Sequence, residues 1–176
     1  VQALSCGGIT GPVNITVAKG TFNEQIVIPP ITGASATNTI TFNGGAGNAS
    51  TRVLKFDFPG SPTNYAVVRL NGADYVRFKN ITIASTSSNY GYGVLFNTSA
   101  DNNIIDSCVI DLGSVTSTNS NFSAGINFSN SPTSTTASGS NGNNNLIRGC
   151  QIIGNANGGP YRGINLYGNT SGTNTS

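Results

Sequence analysis

Short stretches of alternating apolar and polar residues recur along the chain, each bounded by Gly, Asn, Ser, Thr or Pro. Alternation with a period of two marks a half-buried strand, because successive side chains point to opposite faces of a sheet. In the first third these runs are VNITV (13–17), EQIVI (24–28), NTITF (38–42) and TRVLKFDF (51–58). The preceding VQALSCGGI is expected to be the end of a helix or a cap whose start is missing. The absence of Met at position 1, and a C-terminal RGINLYGNTSGTNTS that stops just after a strand, lead us to expect a fragment of a longer chain.

Self-alignment organises the remainder. YAVVRLNGAD (65–74) overlays YGVLFNTSAD (92–101) at an offset of 27, and ADYVRFKNITI (73–83) overlays ADNNIIDSCVI (100–110) at the same offset. A third copy, GNNNLIRGCQI (142–152), follows 42 residues after the second. Three apolar columns result: Phe78, Ile105 and Ile147; Ile81, Cys108 and Cys150; Ile83, Ile110 and Ile152. A second strand type, YGVLF (92–96), AGINF (124–128) and RGINL (162–166), places Gly93, Gly125 and Gly163 before an aliphatic residue. Short strands with a longer superperiod predict an all-β solenoid, in which two or three strands per coil stack on the same strands of the next coil. The apolar columns then fill a tube, each side chain contributing about 1.5–3 kcal/mol on burial. The expectation is one domain over 1–176, with irregular opening coils over 1–60 and repeated coils over 61–170. Residues 129–145 are read as a surface loop inserted at a corner. The stack is expected to be incomplete at both ends.

Composition narrows the function classes. Charged residues are 8% of the chain, against about 25% in typical soluble proteins. The net charge is +2 with no basic cluster, so neither nucleic acid nor an anionic membrane has an electrostatic footprint. There is no His, which removes imidazole acid–base chemistry, Ser-His-Asp and Cys-His catalysis and His-ligated zinc. No apolar run approaches the ~18 residues of a membrane-spanning helix. Of the three cysteines, Cys108 and Cys150 fall in one inward column and are expected to be free, packed thiols, while Cys6 lies apart.

GPVNITVAKGTFNEQIVIP (11–29) resembles the opening coil of right-handed parallel β-helix proteins of the pectin-lyase-like type. TNTITFNGGAG, NGADYVRFKNITI and NTSADNNIIDSCVI resemble the repeats of very large secreted surface proteins of Bacteroidetes, typically adhesins or cargo of the type IX secretion system. The resemblance implies a right-handed parallel β-helix and an extracellular or cell-surface location. It implies an adhesive, glycan-contacting or spacer role. The implied partners are extracellular polysaccharide, the secretion system and other domains of the same parent chain. The same repeat serves enzymes, so a polysaccharide lyase or glycoside hydrolase is the alternative, and an ice-binding solenoid is a second.

The candidate chemistry follows from the columns. Asp74 and Asp101 occupy equivalent positions, where a stacked pair would hold Ca²⁺ or raise one carboxyl's pKa. Asn143 stands there in the third copy, which favours a turn role, so no cofactor is expected and Ca²⁺ is the only metal considered. Lys79, Asp106 and Arg148 share another column and read as an outward salt-bridge ladder. Asp74, Asp101 and Asp106 are the fallback acidic sites; no catalytic residue is assigned. Polygalacturonase-like sites, on the resemblance, pair aspartates with a His-Gly step that this chain lacks. Tyr90, Tyr92, Tyr161, Arg162 and Tyr167 are the candidate glycan-contacting residues, because sugar C–H faces stack on aromatic rings and hydroxyls pair with polar side chains. Asn102 and Asn103 over Asn144 and Asn145 are expected to form internal amide ladders.

Overall fold

A computed structural model describes residues 1–168; the last two residues of the expected repeat region, 169 and 170, lie outside it. A short helix, α1 (Gln2–Gly7), precedes five coils of three strands each. Coil one holds β1 (Val13–Thr16), β2 (Gly20–Asn23) and β3 (Ile26–Ile28). Coil two holds β4 (Ile40–Asn43), β5 (Arg52–Phe56) and β6 (Ala66–Asn71). Coil three holds β7 (Val76–Lys79), β8 (Thr82–Ser85) and β9 (Gly91–Asn97). Coil four holds β10 (Ile104–Asp106), β11 (Val109–Asp111) and β12 (Ser123–Phe128). Coil five holds β13 (Leu146–Arg148), β14 (Gln151–Ile153) and β15 (Arg162–Leu166).

Each strand pairs in parallel with the strand three further along the chain. This gives three five-stranded sheets: β1-β4-β7-β10-β13, β2-β5-β8-β11-β14 and β3-β6-β9-β12-β15. The architecture is all-β and solenoidal, compatible with a parallel β-helix. The register realises the predicted columns: Ile105 pairs with Phe78 and Ile147, and Ile110 with Ile83 and Ile152. Inside the tube like stacks on like. The Phe42 and Phe78 rings lie 4.8 Å apart at 7°, and the Phe96 and Phe128 rings 4.3 Å apart at 7°. The first two coils follow the same rule, and β2 is a strand that alternation alone had left unassigned.

The third sheet departs from the sequence alignment by one residue. The offset of 27 aligns Tyr65 with Tyr92, whereas Ala66 pairs with Tyr92, Val68 with Val94 and Leu70 with Phe96. The extra residue lies after β9, where Thr98 and Ser99 both take positive φ, against the single Gly72 after β6. A slip of one residue exchanges the two faces of a strand, so the alignment inverted inside and outside here.

Two of the three glycines before an aliphatic in the third sheet, Gly93 and Gly125, have a packing cause. A Cβ on Gly93 would lie 2.2 Å from Ile110 Cγ2 and 2.6 Å from the Gly125 carbonyl oxygen. On Gly125 it would lie 2.5 Å from the Gly163 oxygen and 2.8 Å from Ile152 Cγ2. The backbone therefore dips toward the neighbouring sheet where no side chain fits.

Two corners repeat left-handed residues at equivalent positions: Tyr75, Asn102 and Asn144 (φ 58°, 59° and 54°), then Asn80, Ser107 and Gly149 (φ 54°, 54° and 60°). Asn, Ser and Gly suit that conformation, and Asn102 and Asn144 accordingly form a corner rather than an internal ladder.

The 129–145 insertion is not a free surface loop. It folds over the outer face of the third sheet, with Ser129 and Thr135 fully buried and Asn141 nearly so. The Pro132 carbonyl accepts the Tyr65 N–H, and the Thr135 carbonyl accepts Asn165 Nδ2. Beneath it Ala66, Tyr92, Leu95 and Ala124 form a second small apolar cluster. At the first coil, Leu4 of α1 packs on the core, and a cavity of about 830 Å³ lies between the helix and side chains including Ile15, Phe22, Ile26 and Phe42.

Candidate functional site

The acidic column is built from the corner before the first sheet. Asp74 Oδ1 accepts the Asp101 backbone N–H at 2.7 Å, and Asp101 Oδ1 accepts the Asn143 N–H at 2.6 Å. Each carboxylate thus binds the equivalent residue one coil further on, a bond that the amide oxygen of an Asn makes equally well. Burial raises the Asp74 pKa; the Asp101 N–H opposes this and the Asp101 charge adds to it. One turn later Asp106 sits in register with Lys79 and Arg148. Its Oδ2 lies 2.8 Å from Arg148 Nη2 and 3.6 Å from Lys79 Nζ, which makes the expected charge ladder. The Arg148 hydrogen bond, helped by Ser107 and both cations, holds the Asp106 carboxyl below the usual carboxylate range. Asp74 leads into β7 and Asp101 into β10 from one corner, and Asp106 closes β10 at the other. Among the described residues no three His, Cys, Asp or Glu side chains group as a metal site.

The amide ladder forms at Asn103 and Asn145. Asn103 is fully buried; its Oδ1 accepts the Val76 N–H and its Nδ2 donates to the Ala73 carbonyl. Asn145 repeats this one coil on, accepting from the Asn103 N–H and donating to the Ala100 carbonyl. A second amide ladder, Asn127 to Asn165 at 2.7 Å, lies under the insertion and went unnoticed in the sequence, since AGINF and RGINL show it only as one repeated Asn.

The five candidate glycan-contacting residues separate. Tyr92 is fully buried, its hydroxyl donates to the Asn121 carbonyl, and burial pushes its pKa up. It supports the small cluster and offers no face to a sugar. Tyr90 stacks on Tyr65 at 4.5 Å and 25°, and lies 4.9 Å from Phe122. These three half-buried rings line one corner across coils two to four, but Tyr65 and Tyr90 cover each other's faces. Sequence reasoning missed Tyr65 and Phe122; only their place just before a strand of the third sheet signalled them. Tyr167 continues the ladder, its N–H bonded to the Phe128 carbonyl and its own carbonyl to Asn141 Nδ2. Tyr161 is different: it is 57% exposed, with the Arg162 guanidinium carbon 5.9 Å from its ring centroid. Its backbone N–H is pinned to Ser123 Oγ at 2.9 Å, and Arg162 Nη1 is held by Asn165 Oδ1 at 3.0 Å. Exposed Tyr161 and half-buried Arg162 therefore make an aromatic–cation pair in which the Tyr161 backbone and the Arg162 guanidinium are anchored.

Compared with known protein families, with curated proteins and with solved structures, the chain matches none.

Proposed function

We propose that this chain is a non-catalytic segment of a right-handed parallel β-helix, serving as a rigid spacer in an extracellular surface protein. The observation that carries it is the use of the acidic side chains. Asp74 and Asp101 bond the next coil's backbone, and Asp106 is clamped between two cations. Residues bound from coil to coil hold a tube together, whereas a glycoside hydrolase needs two carboxyls flanking one glycosidic bond. The right-handed sense follows the strong preference of parallel crossovers. The exposed apolar side chains of coil five, Ile164 and Leu166 among them, support a further coil stacking there. The secreted, Bacteroidetes-type setting rests on the resemblance of the repeats, and the low charge agrees with a tube kept in solution by uncharged polar groups.

A second reading, glycan contact, is favoured by the Tyr161–Arg162 pair alone. One experiment separates the readings: a glycan array run beside reducing-sugar and unsaturated-product assays, with and without Ca²⁺. A spacer is silent in all of them. Binding without product that is lost in Tyr161→Ala but kept in Asp101→Asn supports the glycan-contacting module. Product that disappears in Asp101→Asn or Asp106→Asn overturns the non-catalytic reading.

A further inference from the structure

We propose that Cys108 and Cys150 are a reversible redox pair that closes to a disulfide and staples coil four to coil five. The ladder fixes their relation. Asp106 pairs with Arg148 just before them and Val109 with Gln151 just after, so the two cysteines occupy one register position on adjacent coils. Neighbouring strands lie about 4.8 Å apart, inside the range of Cα separations, about 4.4–6.8 Å, that a disulfide spans. Cys150 Sγ lies 3.5 Å from the Ile105 carbonyl oxygen, so its thiol leans back onto the coil that carries Cys108.

The pair is polarised and unequally exposed. The neighbouring Cys150 sulfur, then burial, pushes the Cys108 thiol up, while the neighbouring Cys108 draws the Cys150 thiol down. Cys108 is buried and Cys150 half-buried, so an oxidant meets Cys150 first. Cys6 is exposed but sits on α1 over coil one, with neither of the other cysteines on its coil or the next. With a small-molecule disulfide such as oxidised glutathione, the Cys150 thiolate attacks one sulfur and expels one glutathione thiolate. Cys108 then attacks Cys150 Sγ, and its proton passes to the second glutathione thiolate as it leaves. Two protein thiols are oxidised and one disulfide is reduced to two thiols. The loop so closed contains the whole 129–145 strap, and closing a long loop restricts the unfolded chain.

The test treats the whole protein with oxidised glutathione and measures free thiols, the joined peptide and the thermal midpoint. In Cys6→Ser, which leaves Cys108 and Cys150 as the two thiols, titratable thiols are expected to fall from two to none, with a proteolytic fragment linking Cys108 to Cys150. The thermal midpoint should rise by roughly 5 °C or more, return with dithiothreitol, persist in Cys6→Ser and vanish in Cys150→Ser. A mixed glutathione disulfide that stays on Cys150 without resolving overturns the proposal. So does a Cys108 thiol that survives while Cys6 is modified. A cross-link that leaves the midpoint unchanged overturns the staple.

Discussion

Coils four and five carry the same strand pattern, but among the described residues only coil four has a neighbour on each side. Ile105 and Ile126 of coil four are fully buried, and Phe128 is 7% exposed. Their register partners on coil five are half-buried Ile147, Ile164 at 51% and Leu166 at 75% exposure. Glycine follows the same division. Gly125 has no room for a methyl group, whereas an added Cβ on Gly163 meets nothing within 4 Å. Residue type is identical at Ile105 and Ile147, at Ile126 and Ile164 and at Gly125 and Gly163, so the difference at these positions isolates what a second neighbour supplies. The apolar face of one coil is covered only by the next, as expected where each repeat contacts only its neighbours.

The largest expected effect is at the glycines. Gly125→Ala drives a methyl into the Gly163 carbonyl and Ile152, so we expect a loss of about 3 kcal/mol or more; Gly163→Ala should change stability by less than about 0.5 kcal/mol. Urea denaturation of the two variants decides this, and equal losses would break the comparison. Next come the aliphatics. Ile105→Ala should cost about 3–4 kcal/mol by cavity formation, and Ile147→Ala about half as much, because its site is already partly open.

The smallest effects belong to the charged rungs, and their pH dependence has opposite signs. The folded-state pKa of Asp106 is lowered, so its contribution is present above the unfolded value of about 3.9 and is lost as pH falls through the folded value. Asp106→Asn should therefore lower the thermal midpoint by about 1–3 °C at pH 7, and the gap should close in acid. Asp74 is raised by burial, so its contribution is present below about 3.9 and lost as pH rises through the folded value. Asp74→Asn, whose amide still accepts the Asp101 N–H, should match or exceed the unsubstituted protein at pH 7. Melting curves of both variants across the acid range check the two signs.

Legibility in the sequence varied with how far a feature depends on its own strand. The columns Phe78–Ile105–Ile147, Ile83–Ile110–Ile152 and Lys79–Asp106–Arg148 were legible because each coil repeats the same in-and-out order. The offset over the third sheet was not, since one extra turn residue at Thr98–Ser99 shifts the register without disturbing local alternation. Tyr92 looked like a strand-edge aromatic and is buried, because the 129–145 strap, polar by composition, covers the face on which it lies. Tyr161 and Arg162 were named in the sequence among five candidates; that they pair, with Tyr161 exposed, was not legible there.

The sequence by itself determined the all-β solenoid, its repeats and its shortage of charge, because alternation and residue type act within a strand and its corners. The tertiary structure alone decided which glycines have no room, which ends of the columns stay open and where the strap lies. Those depend on what stacks against each coil, and a coil's own residues do not specify its neighbour's distance or register.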